Sequence, residues 1–192
     1  MSFYLESTTS KTFVQRTNDK FVPINRGGQG KDGEIWFALR SQRQSLESSN
    51  TFGSTRQLFA VKLPRGDGFK SCATEVRTLM TIEATAGEKR KHFPSIIDAK
   101  FEDREMTQSC LWFSVNAIRG FTADHLTQTA DCPIPNAFVA HTYFQLTTAL
   151  QFLHNSKLAH RDIWGPNIMF DTQKQCVPGF PNVVIIDFGN VE

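Results

Sequence analysis

The sequence has no closely spaced cysteine pair. Its four cysteines, Cys72, Cys110, Cys132 and Cys176, stand far apart, so neighbouring thiols cannot build a zinc knuckle or a Cys-x-x-Cys redox site. They read as free thiols in a reducing compartment. Long apolar runs are missing as well. Nothing approaches the roughly 18 uninterrupted apolar residues of a membrane-spanning helix. Met1–Val14, with Glu6, Ser7, Thr8, Thr9, Ser10 and Lys11, lacks the apolar segment of a secretory signal. Charge of one sign is scarce too. With 21 Lys plus Arg against 19 Asp plus Glu the net charge is +2, which gives no bulk field for nucleic acid or an anionic membrane. No internal repeat is present. These absences point to an intracellular protein, cytoplasmic or nuclear, with no membrane span and no nucleic-acid partner.

What is present suits a globular chain of one domain or two small lobes: 192 residues, 40% apolar and 21% charged. From Phe21 to Val115 the pattern is mainly short strands. Phe21–Ile24 precedes a glycine-rich turn, and Glu34–Leu39 and Gln57–Leu63 follow, rich in aromatic and β-branched residues. Residues 40–56, crowded with Ser, Gln, Asn and Thr, read as an exposed hairpin insertion. Two further strands are expected near Ser95–Phe101 and Leu111–Val115. One helix is expected to interrupt this sheet, with Ser71 as N-cap and Cys72, Val76, Leu79, Met80 and Ile82 on one face. A second helix should run from Asn136 to His154, with Leu146, Leu150 and Leu153 inward. Short strands near Ile168–Phe170 and Val183–Ile186 close the pattern. A β-rich half precedes a helical half.

Several segments carry chemistry. Gly28-Gln-Gly30-Lys-Asp-Gly33-Glu-Ile35 fits G-x-G-x-x-G, where backbone N–H groups can approach phosphate oxygens with no Cβ in the way. It also fits a plain flexible hairpin, and the strand that follows separates it from a dinucleotide-binding turn. Lys62 closes the strand Ala60-Val-Lys62, as snorkelling lysines also do. Glu75 falls on the apolar stripe of the first helix, where a carboxylate is costly without a partner. Lys62 is the natural partner, and Glu83 is a rival for that role. His160-Arg-Asp162-Ile-Trp-Gly-Pro-Asn167 places a carboxylate and an amide in one loop. Asp187, after Val183–Ile186, is either a strand terminator or, with Asn167, an oxygen ligand for Mg²⁺.

The order of these pieces resembles the eukaryotic protein kinase catalytic domain, over about Phe21 to Gly189. The resemblance implies an α+β fold with a β-rich N-terminal lobe, one central helix and an incomplete, mainly helical C-terminal lobe. It implies an extension at 1–20, an N-terminal lobe at 21–117 and a partial C-terminal lobe at 118–192. Gly28, Gly30 and Gly33 would cover the phosphates of ATP. Lys62 would hold the α- and β-phosphates and pair with Glu75. Ile35, Ala60, Val115 and Ala117 would border the nucleotide. Asp162 would accept the substrate hydroxyl proton, with Asn167 and Asp187 holding Mg²⁺. His160 would be a packing residue, and Arg161 would pair with a phosphorylated activation segment. A protein Ser/Thr substrate or a regulatory partner is implied.

Three departures qualify this. The sequence stops at Glu192, shortly after Asp187-Phe-Gly189, which would truncate the second lobe and uncover the Asn136–His154 helix. Trp164 stands where Ser/Thr kinases usually have a phosphate-contacting lysine, and an indole cannot neutralise phosphate charge. Residues 40–56 and 171–182 are insertions. Two other readings therefore stand beside an active kinase: a pseudokinase acting as a nucleotide- or partner-binding module, and a small-molecule phosphotransferase of the aminoglycoside or choline type. Arg161, Phe188 and the regular glycine loop speak against the latter.

Overall fold

The computed structural model describes residues 8–41, 57–102 and 109–192. The elements run α1 (Thr8–Arg16), β1 (Phe21–Gln29), β2 (Gly33–Arg40), β3 (Leu58–Pro64), α2 (Gly68–Thr85), a 3₁₀ segment (Gly87–His92), β4 (Ile96–Phe101) and β5 (Cys110–Asn116). They continue with β6 (Gly120–Thr122), α3 (Ala123–Thr129), α4 (Asn136–Asn155), a 3₁₀ turn (Gly165–Asn167), β7 (Ile168–Asp171) and β8 (Asn182–Ile185). The class is α+β, with a five-stranded antiparallel sheet ordered β1-β2-β3-β5-β4 and a three-stranded sheet ordered β6-β7-β8. The expected insertion at 40–56 lies, beyond Ser41, outside the described residues. Two compact units result: Met1–Cys72 with Ile97–Ala117, and Ala73–Ile96 with Ile118–Glu192.

The first unit is built on strand alternation. Phe59, Val61 and Leu63 of β3 and Trp36 and Ala38 of β2 are buried on one face, together with Phe21 and Trp112. Phe21 meets Phe59 and Trp112 edge-on, at centroid distances of 5.8 and 5.6 Å. Helix α1 was not expected from its composition, Thr, Ser, Phe and Val being mediocre helix formers. It forms because Phe13, 1% exposed, packs on Trp36 at 5.1 Å and joins the same cluster. Tertiary burial overrides weak local preference here.

Two details of α2 differ from expectation. The helix starts at Gly68, so Ser71 lies inside it and is no N-cap. The Ser71 hydroxyl is buried without a hydrogen-bond partner. The early start follows from packing: a Cβ on Gly68 would sit 1.8 Å from the Asp32 carbonyl oxygen, an approach only glycine permits. Cys72, Val76, Leu79 and Ile82 are buried as expected, but Met80 is 45% exposed and does not belong to that face.

In the second unit, α4 runs Asn136–Asn155 and buries Gln145, Ala149, Phe152 and Leu153. Its inward face is thus rotated from the expected one, with Leu146 and Leu150 only partly buried. Val139, Tyr143 and Phe144 are exposed on the same helix. Strand β8 is an edge strand whose outer polar groups are satisfied by side chains. Val183 N–H donates to Gln145 Oε1 at 2.8 Å, and its carbonyl accepts from His92 Nδ1 at 2.9 Å. Residues 172–181 form the β7–β8 connection, fastened by Cys176 N–H donating to Asn182 Oδ1. Cys72 and Cys110 are buried thiols, Cys132 and Cys176 exposed ones, and none of the four is in a disulfide. Among the described residues no helix is long and apolar enough to cross a membrane.

Candidate active site

The face of the five-stranded sheet opposite the core collects the first unit's candidate residues. In the antiparallel register Ile35 lies beside Lys62, and Lys62 beside Phe113. Phe37 lies beside Ala60, and Ala60 beside Val115. Directly opposed residues share a face, so Ile35, Lys62, Ala60 and Val115 come together. Phe37, not singled out from sequence, joins them by the same alternation. Ala117 continues past β5, its N–H donating to the Leu58 carbonyl at 3.1 Å.

The three loop glycines are not equivalent. A Cβ at Gly33 would lie 2.4 Å from the Leu63 carbonyl oxygen, whereas one at Gly28 or Gly30 would meet nothing within 4 Å. Gly33 is required by β2–β3 packing, and Gly28 and Gly30 leave open space beside the backbone. The loop closes through Gly30 N–H donating to the Gly33 carbonyl at 2.8 Å.

In the second unit the His160–Asn167 loop is joined to the residue after β8 by one backbone and one side-chain hydrogen bond. Ile186 N–H donates to the Asn167 carbonyl at 3.0 Å, and the Ile186 carbonyl accepts from His160 Nε2 at 3.1 Å. Asn167, 7% exposed, donates its amide to Asp162 Oδ2 at 2.9 Å and to the Asp162 carbonyl at 3.0 Å. Asp162 is therefore oriented by Asn167, and Asn167 lies one hydrogen bond from the residue preceding Asp187. Asp187 and Arg161 adopt left-handed backbone, with φ of 65° and 66°.

His160 is structural, as expected. It is 3% exposed and meets Phe188 edge-on at 4.7 Å. Because Nε2 donates to Ile186, Nδ1 is free to accept from Asp162 N–H at 3.3 Å. Burial lowers its pKa, against the upward pull of the Ile186 carbonyl and of Asp187 and Asp162. Arg161 is bonded to the Glu192 carboxylate, and Trp164 is 57% exposed.

Of the two helix carboxylates, Glu75 is buried at 4% exposure. Glu83 is only half-buried and is paired with Arg90. Lys62 belongs to the first unit and Glu75 to the second. Among the described residues no three His, Cys, Asp or Glu side chains cluster as a metal cage. The oxygen donors of Asn167 and Asp187 instead suit a hard ion that takes few protein ligands and keeps its waters, as Mg²⁺ does.

The family model of the protein kinase domain matches residues 50–192. The chain belongs to that family. Among curated kinases it is 23% identical over 175 residues to the CTD kinase subunit alpha of Saccharomyces cerevisiae, covering 91% of this chain and 28% of that protein. It is 22% identical over 182 residues to the serine/threonine-protein kinase CLA4 of Candida albicans, covering 93% of this chain and 16% of the relative. The chain thus spans under a third of the length of these relatives. The kinase match contains Ala60, Lys62, Glu75, Asp162, Asn167 and Asp187, while the glycine loop and α1 precede it.

Proposed function

We propose that this kinase-family chain binds ATP with Mg²⁺ and carries the residues for phosphoryl transfer to a protein Ser/Thr hydroxyl. The observation that carries the reading is the Asp162–Asn167 pair, tied by a backbone hydrogen bond from Ile186 to the segment that presents Asp187. Asp162 is held with its carboxylate ready to accept a hydroxyl proton, and the Asn167 amide fixes its orientation. Asn167 and Asp187 are the Mg²⁺ ligands in this reading, and the bound ion would neutralise phosphate charge. Gly28, Gly30 and Gly33 supply phosphate-facing backbone, and Ile35, Ala60, Val115 and Ala117 border the nucleotide. Lys62 and Glu75 keep the roles the family resemblance gives them. The organisation proposed is an extension at 1–20, an N-terminal lobe at 21–117 with an insertion at 40–56, and a partial C-terminal lobe at 118–192. An intracellular setting, cytoplasmic or nuclear, and a protein substrate or regulatory partner accompany it.

Trp164 favours a second reading, a pseudokinase that binds nucleotide or a partner without transfer, since its exposed indole offers no cation to a migrating phosphoryl group. Thermal unfolding with and without Mg·ATP tests both, with Asp187→Asn beside the wild type. Nucleotide at a hundred times its dissociation constant should add about 2.7 kcal/mol, a rise of roughly 5–10 °C for a chain this long. A rise lost in the variant supports the metal-dependent nucleotide site, and its absence in the wild type refutes it. Transfer of labelled phosphate to a generic protein acceptor then separates kinase from pseudokinase.

A further inference from the structure

Arg26 immediately precedes Gly27, and Glu34 immediately follows Gly33, so the two bracket the glycine loop. Their side chains meet across its base, Arg26 Nη2 to Glu34 Oε2 at 2.9 Å. The strand register opposes Arg26 to Trp36, and an irregularity between Arg26 and Gly28 accompanies the diagonal contact. Two further guanidinium groups converge on the same carboxylate. Arg65, just past β3, reaches Oε2 at 3.1 Å, and Arg16, the last residue of α1, reaches Oε1 at 4.0 Å. Arg16 is anchored a second time, donating to the Pro64 carbonyl at 2.6 Å. Arg65 N–H donates to the Asp32 carbonyl inside the loop at 3.0 Å.

Exposed ion pairs contribute little, but Glu34 is only 5% exposed and serves three cations. By strand alternation it lies on the α1-covered face, opposite Ile35 and Lys62. Gly28 and Gly30 have open space beside them, so the order of the loop is set at its base.

We propose that Arg16 is a positioning residue for the glycine loop: through Glu34 it ties the N-terminal helix to the loop's base and holds the Gly28–Gly33 backbone ready for an anionic phosphate. The N-terminal segment is then a working part of the nucleotide site. The phosphate half of this statement rests on the proposed function, and the loop half does not.

Hydrogen–deuterium exchange over residues 27–34 is the test, in wild type, Arg16→Ala, Arg16→Gln and Lys20→Ala, with Mg·ATP affinity measured calorimetrically on the same proteins. Lys20 bonds Asp98 at 2.9 Å elsewhere in the same unit and controls for loss of an ion pair. Arg16→Gln removes the charge but keeps an amide donor and part of the stem, so it serves if Arg16→Ala does not fold. Arg16 variants should speed exchange in 27–34 about fivefold, equivalent to about 1 kcal/mol. They should also weaken Mg·ATP by a similar factor, while Lys20→Ala does neither. Exchange in 27–34 that is the same in the Arg16 variants and Lys20→Ala overturns the proposal. Faster exchange with unchanged nucleotide affinity overturns its phosphate half. If wild type binds no Mg·ATP, the proposed function fails, and the exchange comparison still decides whether Arg16 orders the loop.

Discussion

Replacing Phe13 by alanine tests whether the N-terminal helix is part of the first unit's core. The side chain is 1% exposed, packs on Trp36 at 5.1 Å and shares its cluster with Phe21, Phe59 and Trp112. Truncating a buried phenylalanine costs about 3–5 kcal/mol, from lost transfer energy and the cavity left behind. For a chain of this size each kcal/mol moves the melting temperature by about 2–4 °C, giving a fall of roughly 6–20 °C. Scanning calorimetry of the full chain reads it directly. Val22, 49% exposed on the neighbouring strand, is the reference, and Val22→Ala should cost under about 0.5 kcal/mol. A Phe13→Ala shift no larger than that of Val22→Ala would refute the docking of α1 and the argument built on Arg16.

Other outcomes are expected. Gly33→Ala should destabilise by about 1–3 kcal/mol in urea unfolding, because its Cβ would meet the Leu63 carbonyl at 2.4 Å, while Gly28→Ala should be nearly neutral. Burial lowers the His92 pKa below its ordinary 6.5, opposed by the hydrogen bond to Val183 and reinforced by Lys91 and His141. Below about pH 6.5 the unfolded chain takes up a proton that the folded chain refuses. Stability should therefore be full above that pH and fall as pH drops, by at most about 1.4 kcal/mol per unit. His92→Asn, which keeps a donor for Val183, should make the urea-midpoint profile shallower, leaving the share of buried His160, and an unchanged profile would count against the assignment. Thiol titration of the native chain should find Cys132 and Cys176 reactive, with Cys72 and Cys110 appearing only on unfolding.

The sheet was legible because aromatic and β-branched residues dominate Glu34–Leu39 and Gln57–Leu63, a composition that marks strands but leaves open which face is buried. The His160–Asn167 loop was legible as a local string, and the Asn167-to-Asp162 bonds follow from residues five apart in one turn. Helix α1 was not legible. Thr8–Arg16 has weak local preference, and the site that receives Phe13 is assembled from strands far along the chain. The start of α2 was misjudged at Ser71 because the deciding contact, Gly68 against the Asp32 carbonyl, is tertiary. Gln145 and His92 carry no local sign of capping an edge strand 38 and 91 residues away. The Glu34 cluster has no local signature either, since its arginines are dispersed through the sequence.

The three tryptophans give each unit its own optical signature. Trp36 and Trp112 lie in the first unit, 6% and 1% exposed, and neither indole N–H has a hydrogen-bond partner. An indole in dry surroundings emits toward the blue, and Lys20 over the Trp112 ring at 5.3 Å adds a local field. Trp164, 57% exposed in the second unit, emits at the red, water-relaxed end. Loss of the blue component on denaturation therefore reports the opening of the sheet unit alone. Iodide quenching of the native chain reports Trp164 in the His160–Asn167 loop, so one unlabelled sample yields two separate readouts.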